Sequence, residues 1–159
     1  MTSTASFLER SHCEVGINAV ADAFNGTVTS DIFNMSRHNR IVFLAHWGVG
    51  TSGTSTFTVE ACDDVSASNV AAIPFNYRIT VGAAAPGAIT RATTAGFLST
   101  AGSNQIVEIE AIAGDMGVTG YKYIRLKAVE GTSSARLGGV IAVMLDPEHA
   151  GSTQGSQVT

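Results

Sequence analysis

Asp63 and Asp64 are adjacent carboxylates at the end of an alternating segment. Such a pair can hold Ca²⁺ when loop carbonyls complete its oxygen shell. Neighbouring strand residues face opposite ways, however, and no spaced series of Asp, Asn or Glu surrounds this pair. Turn capping is the expected role, with a cation site as the alternative. The histidines His12, His38, His46 and His149 show no HxH or HExxH spacing, so no metal or catalytic role is expected of them. His46 lies in an apolar run before Trp47, which predicts a core or interface position. The glycine-rich stretch 48–53 (GVGTSG) lacks a lysine and precedes no helical pattern, so it reads as a hairpin turn and not as a phosphate-cradling loop. There is no Gly-x-Ser-x-Gly elbow and no carboxylate pair that stands out as an acid–base couple. No catalytic residue is therefore expected. Tyr77, Tyr121 and Tyr123 have the chemistry of a sugar-stacking platform, but alternating tyrosines more often mark a sheet face packed against loops or a neighbour. Cys13 and Cys62 are too few and too widely spaced for a disulfide framework or a zinc site. They read as small buried or half-buried hydrophobes, and no metal or cofactor is expected.

The elements that must position these residues read as strands. Segments 27–35, 40–47, 54–62, 71–81, 105–112, 121–129 and 137–145 are apolar or alternate with period two. In 54–62, Phe57, Val59 and Ala61 share a face; in 105–112, Val107, Ile109 and Ala111 do. In 121–129, Ile124, Leu126 and Ala128 oppose Tyr121, Tyr123, Arg125 and Lys127. Pro74 interrupts 71–81 and places that strand at an edge or starts it at the proline. Residues 137–145 (LGGVIAVML) are apolar on both faces and should lie deep in a sheet. Residues 83–101 read as a long surface loop with one short strand near Phe97. Gly, Ser, Asn and Asp clusters separate the strands. The expected fold is all-β, an antiparallel β-sandwich or jelly-roll-like domain of about seven to eight strands. The expected division is an N-terminal arm over 1–25, a sandwich domain over 26–150 and a flexible tail over 151–159. In the arm, Phe7, Leu8, Val15, Ile17, Val20 and Phe24 are too many apolar side chains to leave in water, so they are candidate partner-binding residues.

Composition narrows the partners. Charged residues make up 14% of the 159 residues, well below the usual ~25%. Seventeen Thr, 15 Ser and 17 Gly take up the surface and turns instead. The net charge is −4 and the lysines are Lys122 and Lys127, so there is no basic patch for nucleic acid. No apolar run approaches the ~20 residues of a membrane-spanning helix, so no membrane partner is expected. The start, MTSTASFLER, lacks the basic and apolar regions of a secretory signal.

Five motifs occur in order: GTSTFTVEACDD (53–64), AIPFNYR (72–78), NQIVEIEA (104–111), YKYIRLKAVEG (121–131) and LGGVIAVMLDPEHAG (137–151). Over residues 28–151 this pattern resembles a family of small structural proteins of tailed-phage virions. The motifs are core strands and turns, so the resemblance transfers no functional residue. It implies a β-sandwich without enzymatic activity, made in the host cytoplasm and carried in the virion. The favoured position is the outer capsid surface, as a decoration (cement) protein bound to the major capsid protein and itself a homo-oligomer, with a trimer favoured. A tail, neck or fibre-associated protein is the alternative, and a host-glycan-binding module is a third reading.

Overall fold

A computed structural model describes residues 6–117 and 120–147, and the backbone of 157–158. After a single helical turn, α1 (Phe7–Arg10), come β1 (Ser11–Val20), β2 (Thr27–Thr29), β3 (Ile32–Asn34), β4 (His38–Trp47), β5 (Thr54–Cys62) and β6 (Val70–Ile73). The chain continues through β7 (Phe75–Val81), β8 (Thr90–Ala92), β9 (Phe97–Leu98), β10 (Gln105–Ile112), β11 (Tyr123–Thr132), β12 (Gly138–Pro147) and β13 (Gln157–Val158). A 3₁₀ turn, Ala113–Met116, follows β10.

Two antiparallel sheets pack face to face. The first runs β1-β12-β4-β10-β7-β8; the second runs β13-β3-β11-β5-β6, with β2 also on β11 and β9 on β5. The pairing is nested: β1 with β12, β2 and β3 with β11, β4 with β10, and β5 with β6. A long hairpin wrapped over itself in this way is a jelly roll. Strands β7 to β9 are inserted between β6 and β10 and widen both sheets.

The alternating segments take their expected faces. Phe57, Val59, Ala61, Val107, Ile109, Ala111, Ile124, Leu126 and Ala128 are all buried between the sheets. Segment 71–81, by contrast, is two strands in different sheets. β6 ends at Ile73 in the second sheet and β7 begins at Phe75 in the first. Pro74 stands at the switch, where its missing N–H interrupts no ladder. Segment 48–53 is not a hairpin: β4 and β5 belong to different sheets, and the glycines carry the chain across.

The arm expected over 1–25 has a different structure. β1 pairs with β12 from Ser11↔Leu145 to Val20↔Gly138, with bulges near Gly16. The pattern EVGINAVADAF shows no clean period because those bulges interrupt the alternation that identifies a strand. Phe24, expected to bind a partner, is fully buried in this chain's own core, edge-on to Trp47 and Phe57. Ile17 is half-buried against the same core.

One end of the sandwich is organised by Arg136, which is 1% exposed. Its guanidinium lies 4.9 Å from the Phe24 ring centroid and 5.0 Å from that of Trp47. It donates to the Ser55 and Ser99 hydroxyls, and no carboxylate touches it among the described contacts. Its backbone accepts from Ala23 N–H and donates to Asp22 Oδ1. The crossing loop must lie close to this side chain. A Cβ at Gly50 would sit 2.8 Å from Arg136 Cγ, and one at Gly53 would sit 2.6 Å from the Ser134 carbonyl oxygen. Burial lowers the Arg136 pKa, while Asp22 and Glu130 oppose the shift.

Leu126→Ala is expected to cost ~2–5 kcal/mol in denaturant unfolding, because the side chain is fully buried and leaves a cavity. Arg136→Lys should also cost ~2–4 kcal/mol, and more than Arg136→Met. A lysine keeps a buried charge but loses the planar stacking and the fork of donors, whereas methionine removes the charge. Equal midpoints for the lysine variant and the parent would refute this account of the site.

Candidate functional site

The two sheets present unlike outer faces. On the second, Glu60 is held by Arg125 at 2.7 Å and Lys127 at 3.3 Å, beside Thr56 and Thr58. This face is polar, and Glu60 itself is only 6% exposed beneath its two cations. On the first, one row across the strands reads Val15, Ile141, Leu44, Glu108, Arg78, and the next reads Cys13, Val143, Val42, Glu110, Asn76. The residues between them, Val140, Ala142, Met144, Ile41 and Phe43, point into the core. Over these two rows the outer face of β1, β12 and β4 is therefore apolar, with Val143 itself 6% exposed. Val15 is 53% and Ile141 50% exposed. The charges on this sheet stand to one side as closed pairs: Arg78 with Glu108, and Arg40 with Glu110 and Asp146. An apolar patch rimmed by neutralised charge is the signature of an interaction surface.

Of the six candidate partner-binding residues, Phe7, Leu8, Val15 and Val20 are exposed, while Ile17 and Phe24 serve the core. Val15 belongs to the apolar face, and Phe7 and Leu8 lie on α1, which precedes β1. Sequence reasoning missed Ile141, Leu44 and Val42 as surface residues. Their signal was present in segments apolar on both faces, which are also the signature of a sheet covered on both sides. His46, expected in the core or an interface, is exposed on this outer face between the inward Ala45 and Trp47.

The other candidates do not assemble into a site. Asp64 accepts from Ser66 N–H, Ser68 N–H and the Ser68 hydroxyl, and Asp63 accepts from Asn69 N–H and its side-chain amide. Both carboxylates cap the turn before β6. These hydrogen bonds hold both groups below the ordinary aspartate pKa, the side-chain bond being the largest cause in each. Among the described residues no group of three or more His, Cys, Asp or Glu could hold a metal. Tyr77 stacks on Phe97 at 3.7 Å, inside the first sheet's inner face, while Tyr123 lies on β11 of the second. The tyrosines therefore form no common platform. Both cysteines are free. Cys62 is buried, and burial pushes its thiol up to about 11; Cys13, expected to be at least half-buried, is exposed on β1. His149 lies outside the described residues. No described helix is long and apolar enough to cross a membrane.

His12 Nε2 and Glu14 Oε1 lie 2.6 Å apart on the inner side of β1. The neighbouring His38 is 6% exposed. Burial holds its imidazole below the ordinary value, with His12 and Arg37 pushing the same way and Glu14 opposing. Comparison with protein-family models, curated proteins and solved structures finds no match.

His38 gives the fold a pH dependence of known sign. Its folded pKa lies below the unfolded value of ~6.5, so the unfolded chain takes up the proton first as pH falls. The melting temperature should drop from about pH 7.5 to 5.5, and His38→Gln should flatten that drop. An unchanged slope in the variant would assign the loss to other groups.

Proposed function

We propose that this protein is a non-enzymatic structural component of a tailed-phage virion. It acts there as a capsid decoration (cement) protein, docked on the outer surface of the head to the lattice of the major capsid protein. The observation that carries the reading is the apolar outer face of β1, β12 and β4, set in a chain with only 14% charged residues. The strand and turn motifs that resemble virion proteins support the same reading. A cement protein binds the assembled lattice and not its disrupted form, so mass action stabilises the assembled state. Each contact can be modest, because many copies act on one shell. The closed ion pairs beside the patch leave little charge for electrostatic steering, so burial of apolar surface supplies the affinity.

The test removes the protein from particles, by stripping or by gene deletion, and follows genome release on heating. Particles should assemble and lose their genome at a lower temperature, and re-adding the protein should restore it. Restoration should persist from about 0.05 to 1 M salt, since screening weakens exposed charge pairs and not apolar burial. Ile141→Asp should fold normally and fail to restore, because its side chain is half exposed on the docking face. Unchanged thermal release with missing or non-adsorbing tails would move the protein to the tail, neck or fibre. Binding to host glycans by the isolated chain would favour the recognition module.

A further inference from the structure

We infer that α1 and residues 11–15 of β1 form an acid-released strap, which leaves the sheet at mildly acidic pH while the rest of the sandwich stays folded. β1 is the end strand of its sheet, and of its ten residues only Gly16 is buried. On it, His12 and Glu14 close a pair at 2.6 Å, and the Glu14 side chain is 9% exposed. Beside that pair His38 opens β4, the central strand between β12 and β10. His38 is 6% exposed, and its Nδ1 has no hydrogen-bond partner among the described residues. Two histidines from two strands thus stand near one carboxylate.

A protonated imidazole is a donor at both nitrogens. The charged His38 ring would therefore bury an N–H without an acceptor, and a buried group in that state is costly. The groups acting on it are His12 and Glu14 from β1 and Arg37 from the turn before β4. On β12 the residue opposite His38 is Pro147, and its neighbour Asp146 is engaged by Arg40. In the 3₁₀ turn after β10, Asp115 is held by Arg91. In acid, two imidazoliums and the Arg37 guanidinium would face the Glu14 carboxylate. The strain is relieved where the fold is weakest. β4 cannot move, because Ile41, Phe43, Ala45 and Trp47 are all 0% exposed, whereas an end strand with little buried surface opens locally at low cost. The opening stops at Gly16, whose carbonyl accepts from Asp31 N–H where the strand bulges. Beyond it Phe24 anchors the chain in the core. Release separates Ser11–Val15 from their partners Leu145–Ile141, so the edge of β12 is bared only in acid, and a bared edge is a template for another strand. The inference does not depend on the capsid reading.

Hydrogen exchange read by mass spectrometry on the full chain tests this, with labelling times corrected for the pH dependence of intrinsic exchange. Between about pH 7.5 and 5.5, the amides of 11–15 should lose protection about ten-fold, since the released ring takes up a proton that the folded ring resists. Those of 105–112 and 123–130 should keep theirs. Emission of Trp47, the one tryptophan, should stay constant and report the intact core. His38→Gln should abolish the acid loss at 11–15. Arg37→Gln, at an exposed position, should fold like the parent and move the loss to lower pH, because it removes a like charge. Glu14→Gln should move it to higher pH, because it removes the opposing one. Protection at 11–15 that holds in acid, loss in all strands together, or an acid loss that persists in His38→Gln would each overturn the inference. Should His38→Gln not fold, a loss unmoved by Arg37→Gln overturns it equally.

Discussion

A guanidinium enclosed between two sheets, with no carboxylate touching it among the described residues, must be stabilised by what surrounds it, and around Arg136 every surrounding segment is also structural. Phe24 and Trp47 offer ring faces, Ser55 and Ser99 offer hydroxyl oxygens, and the stretch preceding Phe24 binds the Arg136 backbone. Those contacts tie the end of β1, the end of β4, the start of β5 and the chain after β9 to the residue that leads into β12. The crossing loop can pass only because Gly50 and Gly53 carry no side chain toward it. Remove the planar cation and two hydroxyls, two aromatic faces and a loop lose their common reference. The rest of the sandwich is ordinary apolar packing, and this end fixes how its two layers are joined.

The layers differ in what they show to solvent. The second sheet carries the alternation of a half-buried strand set, with Glu60 shared between Arg125 and Lys127. The first sheet carries two apolar rows on the outer side of β1, β12 and β4, beside the ion pairs of Arg78 with Glu108 and of Arg40 with Glu110 and Asp146. Scattered apolar residues on a surface need no explanation, but two adjacent rows across three strands do. That asymmetry is the observation on which the proposed docking role rests.

Much of the fold was legible because period two is a local signal. Val107, Ile109 and Ala111, or Ile124, Leu126 and Ala128, announce their face without knowledge of their partners. Features set by distant pairing were not legible. β1 was read as an arm because its bulges break the alternation, and its pairing with β12 depends on residues at the other end of the chain. Pro74 signalled a break, but whether a break starts an edge strand or changes sheets is decided by packing. Residues 48–53 carry the same glycines as a tight turn, and only the sheet order shows that they cross between layers. The exposure of Ile141 was not legible for one reason: an apolar run states that a strand lies in a sheet, not whether its second face is covered. Arg136 gave no local signal, since its two ring partners, Phe24 and Trp47, come from two distant segments.

The nested pairing has a consequence for how the molecule comes into being. Ser11 is partnered by Leu145, so β1 waits for β12, far downstream in the chain, before its sheet can close. β4 likewise has its two neighbours, β10 and β12, far downstream. Contacts of such long sequence separation require large loops to close before they are rewarded, which makes assembly slow and late. Until β12 is released, Phe24 and the apolar side of β4 have no complete layer to enter. Productive folding of this sheet is thus tied to the arrival of β12, and a nascent chain that stops short of it has nowhere to lay its first long strand.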